Sequence, residues 1–131
     1  MAALLLGLAA APALADEVEN PAIEAVIGDQ IAALRADDFA KAFSFASPMI
    51  QEMFGTPENF GEMVKQGYPM VWHPSGVKYL ALRDVAGGLW QRIMVTDAGG
   101  RVWMLDYRMV QVDGAWRIDG VQILPAQGVG A

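Results

Sequence analysis

The sequence predicts an α+β domain in which helices come first and pack on one face of a strongly bent, four-stranded antiparallel meander. Three observations carry that reading. Three times in the first half a capping side chain stands directly before proline, at Asn20-Pro21, Ser47-Pro48 and Thr56-Pro57. Proline suits the first helical position and drives the preceding residue toward the extended geometry of an N-cap. After the first cap, Ile23, Val26, Ile27, Ile31 and Leu34 fall on one helical stripe. Residues 90–124 instead read as three strands joined by two glycine turns, and they hold three of the four tryptophans.

Residues 1–15 are set apart from this domain. An apolar run over residues 2–11 leads into Ala13-Leu14-Ala15, the small-x-small pattern that a signal peptidase requires. The run is shorter than the ~20 residues that span a bilayer. It is therefore expected to be removed, leaving no membrane anchor and a periplasmic or secreted product. No Lys or Arg precedes the run, a departure from the usual pattern. The remaining residues, 16–131, are one domain's length. The chain has no cysteine, so an exported product folds without disulfides. Its net charge is −6, with 15 acids against 9 bases and no basic run. That balance argues against nucleic acid or an anionic membrane as partner.

The remaining elements follow in order. Asp37-Asp38 breaks the first helix and restarts the chain toward Phe39, Phe43 and Phe45. A short third helix stops at Gly55, and a fourth over residues 57–66 buries Phe60, Met63 and Val64 before Gly67. The acids at Glu58-Asn59 and Asp37-Asp38 read as first-turn residues favoured by the helix dipole. Tyr68-Pro69 and His73-Pro74 mark an irregular crossing into a first strand at residues 77–85, which ends at a Gly87-Gly88 turn.

Two turns set the register of the ribbon. Asp113-Gly114 is a two-residue hairpin signal; it pairs Met109 with Ile118, Arg108 with Asp119, and Tyr107 with Gly120. A three-residue loop, Ala98-Gly99-Gly100, pairs Ile93 with Leu105 and Arg92 with Asp106. A two-residue loop would slip every side chain to the other face. One face then carries Leu89, Ile93, Val95, Trp103, Leu105, Tyr107, Met109, Trp116 and Ile118, with Gln91 and Gln111, and is expected to meet the helices. The other mixes Trp90, Met94, Val102, Met104, Val110, Val121 and Ile123 with Arg92, Asp106, Arg108, Arg117 and Asp119.

Few groups here carry chemistry. His73 is the only histidine, so the commonest general base has one possible position, in a loop without an assignable partner. A lone histidine without cysteines offers no transition-metal set, and neither metal nor cofactor is expected. Arg92, Asp106, Arg108 and Asp119 read either as a cross-strand ion-pair ladder or as the polar floor of a cavity with a desolvated carboxylate base. Gln91 and Tyr107 face each other on the apolar side. With Tyr68, Trp72 and His73 at the rim, they could be the few polar groups of a largely apolar pocket.

The segments Ala42-Phe43-Ser44-Phe45-Ala46-Ser47-Pro48, Phe54-Gly55-Thr56-Pro57-Glu58-Asn59-Phe60, Met63-Val64 and Gly67-Tyr68-Pro69, with Gln91-Arg92 and Asp113-Gly114-Ala115-Trp116-Arg117-Ile118, resemble a bacterial family catalogued as domain of unknown function 4864. The resemblance covers nearly all of residues 16–124. It implies the cone-shaped, nuclear-transport-factor-2-like (cystatin-like) fold, which hosts isomerases, dehydratases, binding modules and dimers, so it implies no single chemistry. The expectation is an exported, non-catalytic module binding a small apolar ligand in the cone, or a protein partner. The alternative is a lyase or isomerase with a carboxylate or His base. A homodimer packed through the mixed sheet face is also expected, because that face holds more contiguous apolar surface than a monomer usually leaves wet.

Overall fold

All three prolines of the capping pairs open helices in the computed structural model, which describes residues 19–125. The expected signal segment, residues 1–15, lies outside the described residues. Helix α1 spans Pro21–Arg35, and the Asn20 side chain accepts hydrogen bonds from the amides of Ala22 and Ile23 at 3.0 and 3.3 Å. Its stripe buries Ile23, Ile27, Ile31 and Leu34, each worth about 1.5–3 kcal/mol when withdrawn from water. Helices α2 (Phe39–Ser44), α3 (Pro48–Phe54) and α4 (Pro57–Gly67) follow. Ser47 caps α3 through the Ile50 amide, and Thr56 caps α4 through that of Asn59. Helix α4 lies so close to α2 that a Cβ on Gly61 would sit 2.8 Å from the Phe39 ring.

The acidic pair at residues 37–38 differs from expectation. Asp38 is itself the cap of α2, accepting from the Lys41 amide, and Asp37 lies in the left-handed region at φ 58°. Neither is a first-turn acid. The crossing is also more regular than its prolines suggest, since Pro69–Trp72 form a short helix, α5.

Strands β1 (Gly76–Val85), β2 (Gly88–Thr96), β3 (Val102–Val112) and β4 (Ala115–Ile123) make one antiparallel sheet in the order β1-β2-β3-β4. The β2–β3 register pairs Arg92 with Asp106 and Ile93 with Leu105, as the three-residue loop requires. The turn after β1 lies one residue earlier than expected, with positive φ at Ala86 and Gly87. The β3–β4 register starts as expected, with Val112 opposite Ala115 and Met109 opposite Ile118, and then shifts between Arg108 and Met109. Beyond that bulge Arg108 faces Gly120 and Tyr107 faces Val121. The extra residue turns the rest of β4 over. Val121 and Ile123 therefore share a face with Tyr107 and Leu105, not with Trp90 as the unbroken register implied.

Helices cover the face that carries Ile93, Val95, Leu105, Tyr107, Met109 and Ile118, all buried. The segment before α3 docks on the free edge of β4. Ser47 donates its amide to the Ile118 carbonyl at 2.8 Å, and Ile118 donates to Phe45 at 2.9 Å. No helix among the described residues is long and apolar enough to cross a membrane.

Candidate functional site

Between α1, α3, α4 and the sheet lies a cavity of about 290 Å³. Its wall is built by spacing. Leu34 and Gln30, four apart on α1, meet Phe60, Met63 and Val64 of α4, while Tyr107, Ile118 and Val121 form the sheet side. Helix α3 has no buried residue of its own and roofs the cavity with Ile50, Met53 and Phe54. Tyr68 and Val71, three apart, bring the start of the crossing to the same wall.

The polar atoms there are few and uncharged. The Tyr68 hydroxyl donates to the Val121 carbonyl at 3.1 Å. Gln30, 5 % exposed, donates its amide nitrogen to the Ala42 carbonyl at 3.1 Å. Tyr107 is 1 % exposed and lines the cavity from β3. Burial first, then the neighbouring Tyr79 and Tyr68, raises its pKa well above the ordinary phenol value. The hydroxyl stays a neutral donor throughout the physiological range.

The other expected pocket residues lie elsewhere. Gln91 is fully buried opposite Tyr107, yet its amide nitrogen donates to the Leu80 and Arg92 carbonyls, both at 2.9 Å. Leu80 sits in a bulge of β1, between Tyr79 and Leu82; Gln91 thus satisfies a carbonyl that the ladder leaves free. Trp72 and His73 are absent from the cavity wall. Helical geometry in α5 turns Tyr68 and Val71 inward and Trp72 away. The Trp72 indole donates to Asp37 at 2.8 Å, and His73 Nε2 lies 3.6 Å from the same carboxylate, on exposed surface.

The charge set occupies the opposite face of the sheet. Asp106 is gripped by two arginines: Arg92 donates Nε and Nη2 to its two oxygens, each at 3.0 Å, and Arg83 donates Nη2 at 2.7 Å. Burial pushes the Asp106 pKa up, but the hydrogen bonds from Arg92 and Arg83 outweigh it, and the net shift is down. A carboxylate so held is a poor base. Asp119 accepts the Ser47 hydroxyl at 2.7 Å and lies 3.8 Å from Arg108. It is the anchor of α3 on β4. Arg83 was not among the sequence candidates; the displaced turn places it opposite Trp90. Gln30 was also missed, although its position three after Ile27 and four before Leu34 puts it on the apolar stripe of α1. Among the described residues, no cluster of His, Asp or Glu could hold a metal ion.

Fold and site together define an α+β domain with an uncharged cavity between its helices and its sheet. The chain belongs to the family described as Domain of unknown function (DUF4864), whose model matches residues 16–131. No curated protein and no solved structure matches the chain.

Proposed function

We propose that this chain is an exported, non-catalytic binding module that takes a small, neutral, mostly apolar molecule into the cavity. The observation that carries the reading is the cavity wall: about 290 Å³ lined mostly by apolar side chains, with Tyr68, Tyr107 and Gln30 as its polar side chains and no charged one. That volume is roughly twice the ~150 Å³ of an apolar cavity that takes up benzene. Apolar walls with a few fixed polar groups are the usual build of a small-molecule site. The Tyr107 hydroxyl, a neutral donor on the cavity wall, suits a ligand with one hydrogen-bond acceptor. A carboxylate ligand would find no cation on the wall. The lyase or isomerase alternative lacks comparable support, since Asp106 and Asp119 are engaged on the other face and His73 stands outside the cavity.

Titration with 1-octanol, and with octanoate as the charged control, tests this. The alcohol should bind and shift the amide resonances of cavity residues, while octanoate should bind at least ten-fold more weakly. Replacing Tyr107 with Phe removes one hydrogen bond of about 0.5–1.5 kcal/mol, so alcohol affinity should fall roughly three- to ten-fold with the fold retained. Absence of any shift at cavity residues with the alcohol would sink the reading. Helices gathered on one face of a four-stranded meander, with a cavity between, also support the nuclear-transport-factor-2-like assignment. An experimental structure that superposed on no member of that superfold would remove it. Export is supported by the apolar run ending in Ala13-Leu14-Ala15, and predicts a mature chain starting at Asp16. Intact mass of the native protein is the check, and retained residues 1–15 would refute it.

A further inference from the structure

The outer face of the sheet has a charge pattern unlike the rest of the chain. The strand registers place Lys78, Arg83, Arg92, Arg108 and Arg117 on it with the acid Asp106, and the bulged Asp119 reaches to within 3.8 Å of Arg108. Five of the chain's nine bases are thus gathered on one face of a protein whose net charge is −6. The two acids are also sunk beneath the bases. Side-chain exposure is 7 % for Asp106 and 13 % for Asp119, but 33 % for Arg83, 32 % for Arg92 and 46 % for Arg108. What the face presents outward is guanidinium.

Between these heads lie Trp90, Met94, Met104 and Val110, all partly exposed and none packed into the core cluster. Trp90 and Arg108 are cross-strand partners, and both reach over Gly88, where a Cβ would meet the indole nitrogen at 3.1 Å and the Arg108 Nε at 3.3 Å. Arg108 approaches Asp119 only to 3.8 Å, beyond hydrogen-bond reach, so its planar fork is free to bind a carboxylate bidentately. Two copies of this face would bring like charges together, which disfavours the sheet-to-sheet homodimer expected from the sequence.

We propose that the outer face is a docking surface for an acidic protein segment whose carboxylates alternate with apolar side chains. The carboxylates meet Arg108 and the exposed Lys78, and the apolar groups pack on Trp90, Met94 and Met104. Charge complementarity chooses this occupant. An anionic bilayer would be held off by the acidic remainder of the chain, whereas a peptide meets the face alone.

The test uses the whole mature protein and a short fluorescent peptide of alternating Glu and Leu, with a Gln-Leu peptide and phosphatidylglycerol vesicles as comparisons. The Glu-Leu peptide should bind at low ionic strength and weaken at least ten-fold at physiological salt. Arg108→Gln should weaken it ten-fold or more, and Arg108→Lys less, since lysine keeps the charge and loses the fork. Arg108 donates no hydrogen bond to a described residue, so the fold should survive; Lys78→Gln, at an exposed site, gives a second reading with a smaller loss. Equal binding of the Gln-Leu peptide would overturn the proposal, as would failure of the Glu-Leu peptide at low salt. Binding to the vesicles in place of the peptide would assign the face to membranes. A wild-type dimer that Arg108→Gln dissociates would assign it to self-association.

Discussion

Replacing Asp106 with Ala should destabilise the protein by about 2–3 kcal/mol at neutral pH. Removing one member of a buried ion pair costs roughly 3–5 kcal/mol, because the remaining charge is left without a partner. Here Arg83 and Arg92 keep about a third of their side chains in solvent, so both can turn toward water, which reduces the cost. They would still repel across the strands once the carboxylate between them is gone. The same substitution should change the acid limb of stability. The folded pKa of Asp106 lies below its ordinary value, so its contribution is full above the unfolded value of about 3.9 and is lost as pH falls through the folded one. Wild type should therefore lose stability below about pH 4, and the Ala variant should show a shallower loss. Some acid dependence remains in the variant, because hydrogen bonds from the Trp103 indole and then the Arg101 amide also lower the Asp97 pKa. Urea midpoints between pH 2 and pH 7 decide the matter. Equal midpoints for the two proteins at pH 7 would show that the arginine grip contributes nothing.

Local chemistry made much of this fold legible. A capping side chain before proline specifies a helix start without help from the rest of the chain, and Asn20, Ser47 and Thr56 all act so. Asp113-Gly114 adopts the paired positive φ values, 53° and 82°, that its hairpin demands. Where a tertiary contact decides the geometry, pattern reading stops. The bulge at Asp119 is stabilised by Ser47, seventy-two residues earlier, and period-two alternation runs straight through it. The Asp119-Gly120 pair inside a strand was its one local sign, since glycine there often marks a bulge. Alanine at φ 52° in the first turn left no such sign. The β1 bulge was equally hidden, and with it the role of Gln91. The cavity was legible only in outline. Tyr107 and Tyr68 reach it, while its other polar side chain, Gln30, comes from a helix whose apolar stripe was read without it.

Val121 is where the bulge and the cavity can be tested together. An unbroken β3–β4 register places it on the outer face, and Val121→Glu would then break a sheet-to-sheet dimer. With the bulge it lies opposite Tyr107 and lines the cavity. Glu at that position puts a carboxylate among apolar walls, where burial without a partner is unfavourable. The residue is partly exposed, so the longer side chain can reach the mouth; destabilisation of about 1–3 kcal/mol is expected, within the usual span for a single substitution. Octanol binding should be lost, with the sedimentation coefficient unchanged. Val121→Phe should also abolish binding, by filling the space, but at a stability cost of about 1 kcal/mol or less, because the added ring enters a void and not packed core. The Tyr68 bond accepted by the Val121 carbonyl is to the backbone and survives both changes. If Val121→Glu instead altered sedimentation and left octanol binding intact, residue 121 would have to face outward and the bulge would be wrong.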